Sequence, residues 1–361
     1  MRFPEFSGEW ESTPISNIAD IIGGGTPDTS VDEYWGGNIQ WFTPSEIGKE
    51  KYAYLSDRTI TEAGLKNSSA KLLPQGTVLL STRATIGECS IATAECTTNQ
   101  GFQSLVAKKN NASSEFLYYI VAKIKREMLR RSCGSTFLEI SANELKKIHA
   151  NIPSKAEQEK LVSLLSLIDQ RIETQKKIIE DLKKLKDAIS KLLFRHRVGN
   201  EYSIGELCKS IAVKQYISID VAIDGTYPII QQGESPVAGY TESAPFFDYE
   251  KVVLFGDHTL SIYRPNVPFL LSTDGIKILR PNDLVLRDYL YYLLYAFMPK
   301  SEGYKRHYSI LKDICVPVPD IDTQKSIVEE LLSVDSKIEI EARFLELQIQ
   351  QKEYLLNQMF I

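Results

Sequence analysis

"IPSKAEQEKLVSLLSLIDQRIE" occupies residues 152–173, and a close copy, "VPVPDIDTQKSIVEELLSVDSKIE", occupies residues 316–339. At a constant offset of 166, Pro153 falls on Pro319, Gln158 on Gln324, Val162 on Val328 and Leu165 on Leu331. Asp169 then meets Asp335, Ile172 meets Ile338, Glu173 meets Glu339, and Phe194 meets Phe360 without a gap. A repeat this long points to a duplicated domain, not a short-period solenoid. Looser matches precede each helix. "VLLSTRAT" (78–85) resembles "VVLFGDHT" (252–259) and sets Arg83 against Asp257. "EFLYYI" (115–120) resembles "DYLYYL" (288–293), and "LKKIHANIP" resembles "LKDICVPVP". The order is therefore globular unit, long helix, globular unit, long helix. Turn-forming glycines and prolines punctuate short β-rich runs and helices in each globular unit.

The two long helices carry matching seams. Ile168, Ile172, Gln175, Ile179, Leu182, Lys186, Ile189 and Leu193 alternate spacings of four and three in the first. Val334, Ile338, Glu341, Leu345, Gln348, Lys352, Leu355 and Met359 do so in the second. This is a heptad pattern broken by polar residues. A parallel, in-register pair would set Lys186 against Lys352. An antiparallel pair sets Lys186 opposite Glu341 and Gln175 opposite Lys352, so the seam predicts antiparallel helices. A rod over 158–194 would be about 55 Å long, with a globular unit at each end, like a calliper.

Bulk properties narrow the classes. A length of 361 residues fits two or three domains, and 43% hydrophobic with 25% charged residues is ordinary for soluble protein. No apolar run is long enough for a membrane span, and "MRFPEFSGEW" is too polar for a secretory signal. Five cysteines without a C-x-x-C pair predict neither a disulfide framework nor a zinc site. His149, His196, His258 and His307 are scattered. The expectation is a reduced, cytoplasmic, metal-free protein. The net charge of −5 counts against nucleic acid, yet binding depends on the local field. Basic clusters stand at 123–131, 176–186 and 300–306.

"GGGTPDTSVDEYWGG" (23–37) raises the question of a phosphate-binding loop. A P-loop needs a lysine and a hydroxyl after its last glycine, and Thr26, Pro27 and Asp28 follow Gly25 instead. The dinucleotide pattern G-x-G-x-x-G fails at Asp28 as well. Elsewhere the chain lacks an Asn/Asp-Pro-Pro-Tyr methylase motif, a glycine-rich methyl-donor loop and a nuclease carboxylate cluster.

With "GGGTPDTSVDEYWGGNIQWFTPSEI" (23–47), "VLLSTRATIGECSIA" (78–92), the repeated Pro-x₄-Gln helix start, the opening "RFPEFSGEW" and the closing "LLNQMF", the chain resembles the DNA-specificity subunits of type I restriction–modification systems along essentially its whole length. The resemblance implies an α+β fold. Two globular α/β target recognition domains are separated by two long helices forming an antiparallel coiled coil, with an internal pseudo-twofold repeat. The boundaries expected are 1–151 for the first recognition domain, 152–198 for its helix, 199–317 for the second domain and 318–361 for the last helix. It further implies a non-catalytic subunit that reads a bipartite double-stranded DNA site, one half per domain. Two methyltransferase subunits would dock on the helices, and motor-nuclease subunits would join that core. S-adenosylmethionine, ATP and Mg would sit on the partners and no cofactor on this chain. In the glycine segment, Trp35 and Trp41 would be packing anchors. The second domain departs from the pattern, with "YPIIQQGESPVAGY" in place of the glycine motif. Two other classes are weighed against this one. A self-contained nuclease or methylase lacks its motifs, and a coiled-coil scaffold without DNA contact is favoured by the −5 charge.

Candidate DNA contacts follow from side-chain chemistry: Arg and Lys suit guanine edges and phosphates, Asn and Gln suit adenine, and Ser and Thr serve either. In the first domain these are Thr43, Ser45, Lys49, Ser81, Thr82, Arg83, Thr85, Asn99, Gln100 and Gln103, with Arg130 and Arg131 for phosphates. In the second they are Gln231, Gln232, His258, Tyr263, Arg264, Lys305, Arg306 and His307.

Overall fold

The computed structural model describes residues 2–83, 85–134, 138–195, 199–233, 235–301, 303 and 305–360. His196, Ala84, and Glu302 and Tyr304 of the 300–306 cluster lie outside the described residues. The chain divides into two compact units, Met1–Thr174 with Glu346–Ile361, and Gln175–Leu345. These units do not coincide with the domains expected above, because each globular part shares its core with segments of both long helices.

In the first unit, a five-stranded sheet runs in the order Ala19–Gly23, Gln103–Ala107, Val78–Leu80, Cys89–Ala92, Tyr52–Ala53. A second sheet orders Arg58–Ile60, Trp35–Phe42 and Cys96–Thr98, antiparallel at the first pairing and parallel at the other. The Ser114–Arg131 helix covers the larger sheet, burying Phe116, Leu117, Ile120, Val121, Ile124 and Met128. These apolar positions recur at helical spacing, and Ser113 caps the helix by accepting the Phe116 N–H.

The second unit repeats this plan. Its larger sheet is Cys208–Ile211, Ile276–Pro281, Val253–Gly256, Ile262–Tyr263, antiparallel throughout. Its smaller sheet is Val237–Thr241, Tyr227–Ile230, Leu270–Leu271, again antiparallel then parallel. The Arg287–Ala296 helix buries Tyr289, Leu290, Tyr292, Leu293 and Leu294.

The long helices span Lys155–Arg195 and Ile321–Met359. Both begin in the same way. After Pro153, the Gln158 side chain turns back to donate to the Pro153 carbonyl (3.1 Å) and reaches the Asn111 carbonyl (3.0 Å). Gln324 donates equivalently to the carbonyls of Pro319 (3.0 Å) and Leu284 (2.8 Å). The repeated Pro-x₄-Gln is thus a buried clamp between a helix start and its own domain. It satisfies helix-end and loop groups that would otherwise be costly to bury.

Within each unit the helix segments pack antiparallel. In the first, Leu161, Leu165 and Ile168 share a core with Met359, Phe360 and Leu355. In the second, Phe194, Ile189 and Leu193 share one with Ile327, Val328 and Leu331. The orientation agrees with the seam, but the register does not. Lys186 pairs with Asp335 (2.6 Å), not Glu341. Lys352 pairs with Asp169 (2.6 Å), not Gln175. Gln175 instead donates to the Glu341 carbonyl (3.1 Å) and to its carboxylate. The seam positions alone could not settle this, because the two aspartates flank the seam. A tyrosine hydroxyl from each domain holds its aspartate: Tyr119 donates to Asp169 (2.6 Å) and Tyr292 to Asp335 (2.6 Å). Glu341 is bound by Lys337 (2.6 Å) one turn away, so it is not available to Lys186.

Candidate nucleic-acid interface

The glycine segment is architecture. The Gly25 N–H donates to the Thr98 carbonyl (2.8 Å), and Trp41 Nε1 donates to the Gly25 carbonyl (2.9 Å). Trp35 Nε1 donates to the Asp28 carbonyl (3.1 Å), and the two indoles meet edge to face at 5.0 Å. The Arg58 guanidinium lies over the Trp35 ring, 3.6 Å from its centre. A Cβ on Gly24 would stand 2.0 Å from the Asn99 carbonyl oxygen. The segment is therefore pressed against the Asn99–Gln100 turn, and Thr26 hydrogen-bonds the Gln100 side chain.

Around that turn several loops converge. The Gly101 N–H donates to Asn99 Oδ1 (2.8 Å), and the Gly101 carbonyl accepts the Thr82 N–H (2.9 Å). A Cβ on Gly101 would meet Asn99 Oδ1, Pro44 Cγ and Arg83 Cβ, all within 3.9 Å. Arg83 is exposed and its Nε lies 4.0 Å from a Glu139 carboxylate oxygen. Ser45, Lys49, Thr85 and Gln100 are exposed on the same set of loops, and Gln103 is half-buried opposite Gly23.

The second unit assembles the same hub from different residues. The Gly275 N–H donates to Thr273 Oγ1 (3.1 Å), and the Gly275 carbonyl accepts the Asp257 N–H (2.8 Å). Gln232 Oε1 accepts the His258 N–H (2.9 Å), His258 Nδ1 meets the Lys305 carbonyl (3.1 Å), and Arg306 lies 3.7 Å from Asp274. In this register His258 is the counterpart of Arg83, and Asp257 that of Thr82. The sequence match of Arg83 to Asp257 is off by one residue.

Burial corrects Ser81, Thr82 and His307 as contacts, and several other candidates are already engaged within the chain. Ser81 and Thr82 are fully buried, with their hydroxyls on the Arg83 and Gly101 carbonyls. His307 is fully buried, its Nδ1 3.0 Å from the Asp257 carbonyl. Thr43 and Glu46 form a capping box, so the Thr43 hydroxyl serves the turn. Asn99 Oδ1 likewise serves its turn, although the residue is only half-buried. Gln231 Nε2 is tied to the Ser235 carbonyl (3.0 Å). Arg264 stacks on Tyr291 (5.0 Å) and lies 3.6 Å from Asp288, and Tyr263 packs on the cluster that holds Ile230, Phe246 and Leu254, where burial raises its pKa. Arg130 and Arg131 both bind Glu127, and their hydrogen bonds hold its carboxyl down to about 2. That cluster contributes stability above the ordinary carboxylate range and loses it only as pH falls towards about 2. Thr273 and Asp274 were not among the candidates, because "STDG" shares only its glycine with "TNQG".

No group of three or more potential metal ligands occurs among the described residues. The thiols of Cys89, Cys96 and Cys208 are pushed up to about 12 by burial, which leaves them unreactive near neutral pH.

The sequence profile of the type I restriction modification DNA specificity domain matches residues 7–184 and again 199–351. The chain belongs to that family. Two matches, one per unit's domain, agree with the duplicated hub. The specificity subunit of the type I restriction enzyme MjaIX of Methanocaldococcus jannaschii is 41% identical over 181 residues, 49% of this chain and 42% of that relative. The EcoR124I/EcoR124II specificity subunit of Escherichia coli is 26% identical over 47% of this chain and 43% of its own length. The chain thus spans under half the length of these relatives. The MjaVIII specificity subunit of M. jannaschii aligns over 99% of this chain and 92% of its own length at 22% identity. Among solved structures, the type I restriction–modification S subunit from M. genitalium covers 100% of this family member with a TM-score of 0.57 at 18% identity, over 99% of that chain. A chain from a study of complex assembly and conformational transition of the type I R-M system covers 99% at 17% identity, over 98% of its own length, with a TM-score of 0.60. These two likenesses establish the fold.

Proposed function

We propose that the chain is a non-catalytic DNA sequence-specificity subunit of a type I restriction–modification complex, reading a bipartite duplex site with one hub per half. The observation that carries this is the duplication itself. The same hydrogen-bonded loop set is built twice, and its solvent-facing side chains differ. Backbone-held turns with divergent side chains are what two different half-sites require, because base contacts depend on side-chain identity.

The long helices leave apolar residues exposed away from their seams: Leu167, Ile178, Leu185 and Leu192 on one, Ile340, Phe344, Leu347 and Tyr354 on the other. Such stripes fit partner subunits better than water. Ile178 and Phe344 fall at matching positions of the repeat, and the stripes support docking of two methyltransferase subunits, with motor-nuclease subunits joining them. S-adenosylmethionine, ATP and Mg belong to those partners in this reading, and no cofactor to this chain. No helix among the described residues is long and apolar enough to cross a membrane, which is compatible with action in the cytoplasm.

A mobility shift with bipartite duplexes, with and without methyltransferase subunits, tests the reading. Sequence-selective retardation is expected, and equal affinity for all duplexes would instead favour a scaffold without DNA reading. Arg83→Ala should weaken binding to the first half-site by about 1–3 kcal/mol. Unchanged affinity for cognate duplex would remove Arg83 from the interface. Light scattering of the assembled complex should give two methyltransferase subunits per chain, and a ceiling of one at saturation would contradict the docking of two.

A further inference from the structure

The two hubs share one position at which neither burial nor the turn itself has used the side chain. In the first unit the Gly101 carbonyl accepts from Thr82, whose own carbonyl accepts the Ile140 N–H (3.1 Å). In the second the Gly275 carbonyl accepts from Asp257, whose carbonyl accepts the His307 N–H (2.9 Å). The bond from each glycine N–H to a side chain two residues back, Asn99 or Thr273, completes the match. Between them stand Gln100 and Asp274, both exposed at the apex of the turn.

Their chemistry differs in a way that reads as selection. Gln100 carries an amide, and Thr26 hydrogen-bonds its carbonyl oxygen. That oxygen has a second lone pair, so the contact orients the amide without using it up. The amide nitrogen of Gln100 makes no hydrogen bond among the described residues. An amide so held matches the N6–H donor and N7 acceptor of adenine. Asp274 can only accept, which suits the cytosine N4 amino group. Arg306 lies 3.7 Å from that carboxylate and carries the guanidinium that suits the O6 and N7 of a guanine.

Resting on the DNA-reading function proposed above, we infer that Gln100 and Asp274 are specificity-determining residues at equivalent positions. Gln100 selects an A·T pair in the first half-site, and Asp274 with Arg306 selects a C·G pair in the second. Neighbouring candidates are already committed: Gln232 Oε1 to the His258 N–H, Asn99 to its turn, and Arg264 to the tyrosines of its own domain.

The test is selection from a randomised duplex library by the complex of the full chain with its methyltransferase subunits. Wild type should enrich a bipartite motif. Asp274→Gln should change cytosine to adenine at one position of one half and leave the other half as it was. The isosteric Asp274→Asn should move preference in the same direction, and keeps the packing of the turn. Gln100→Asp should change adenine to cytosine at one position of the opposite half. The preference at each altered position should shift by roughly ten- to a hundredfold. A motif retained unaltered by all three variants overturns the inference and leaves DNA reading intact. Changes spread over both halves overturn it too. A wild-type complex that enriches no bipartite motif would overturn the DNA-reading function itself, a separate and distinguishable failure.

Discussion

Asp335→Ala will destabilise the second unit by about 3–5 kcal/mol, the range for stranding one member of a buried ion pair. Lys186 is buried in the helix seam with its ammonium 2.6 Å from Asp335, and the Tyr292 hydroxyl donates to the same carboxylate at 2.6 Å. Removing the carboxylate leaves a buried cation facing tyrosine rings, the nearest 4.6 Å away, without its direct ion-pair partner. The double substitution Asp335→Leu with Lys186→Met should recover most of the loss, since well-packed apolar replacements of buried pairs are often neutral or stabilising. Urea unfolding followed by amide exchange in the Ile321–Met359 helix reads both variants. An unchanged midpoint for Asp335→Ala would show that the pair contributes nothing to stability. The equivalent Asp169 should tolerate loss less well in one respect. Two cations, Lys352 at 2.6 Å and Lys51 at 3.7 Å, share it. Burial already lowers the pKa of Lys51, against the raising effect of Asp169.

Gly24→Ala will cost about 3 kcal/mol and, on the proposed DNA-reading function, should abolish reading of the first half-site. Overpacking typically costs about 1–3 kcal/mol, and this case lies at the upper end because what must yield is backbone. The new Cβ would stand 2.0 Å from the Asn99 carbonyl and 2.4 Å from that of Thr98, so the turn that presents Gln100 must move. Gly36→Ala separates sterics from backbone conformation. Gly36 has φ +77 with nothing near its Cβ direction, and the left-handed conformation alone costs about 1–2 kcal/mol. Gly36→Ala should therefore retain half-site selection at reduced stability. Equal loss of selection in both variants would argue against the packing role of the glycine segment.

The contrast between the hubs explains what was readable in advance. Arg83, Gln100 and Arg306 belong to residue types with obvious nucleic-acid chemistry, and each is exposed on a converging loop. Ser81, Thr82 and His307 are of equally suitable types, yet the chain buries them completely. Nothing in "LLSTRAT" distinguishes a hydroxyl aimed at solvent from one aimed at a carbonyl, because that depends on which loop lies above the strand end. Thr273 and Asp274 were invisible for the converse reason. Their turn is matched by hydrogen bonds to glycine and not by residue identity, and four residues with one shared glycine carry no alignment signal.

The duplication, the two long helices and their antiparallel sense were determined by the sequence alone. Apolar periodicity and charge repulsion are local, additive properties that survive without coordinates. The register of the helix pair, the place of each candidate contact and the one-residue shift that sets Arg83 against His258 were decided by tertiary structure. Each depends on a partner distant in sequence: Tyr119 and Tyr292 holding the aspartates, Glu341 bound by its own helix neighbour, and the Gly101 and Gly275 carbonyls fixing the strand ends. A buried charge goes where its desolvation is best offset, and that site exists only once the domain has packed against the helix.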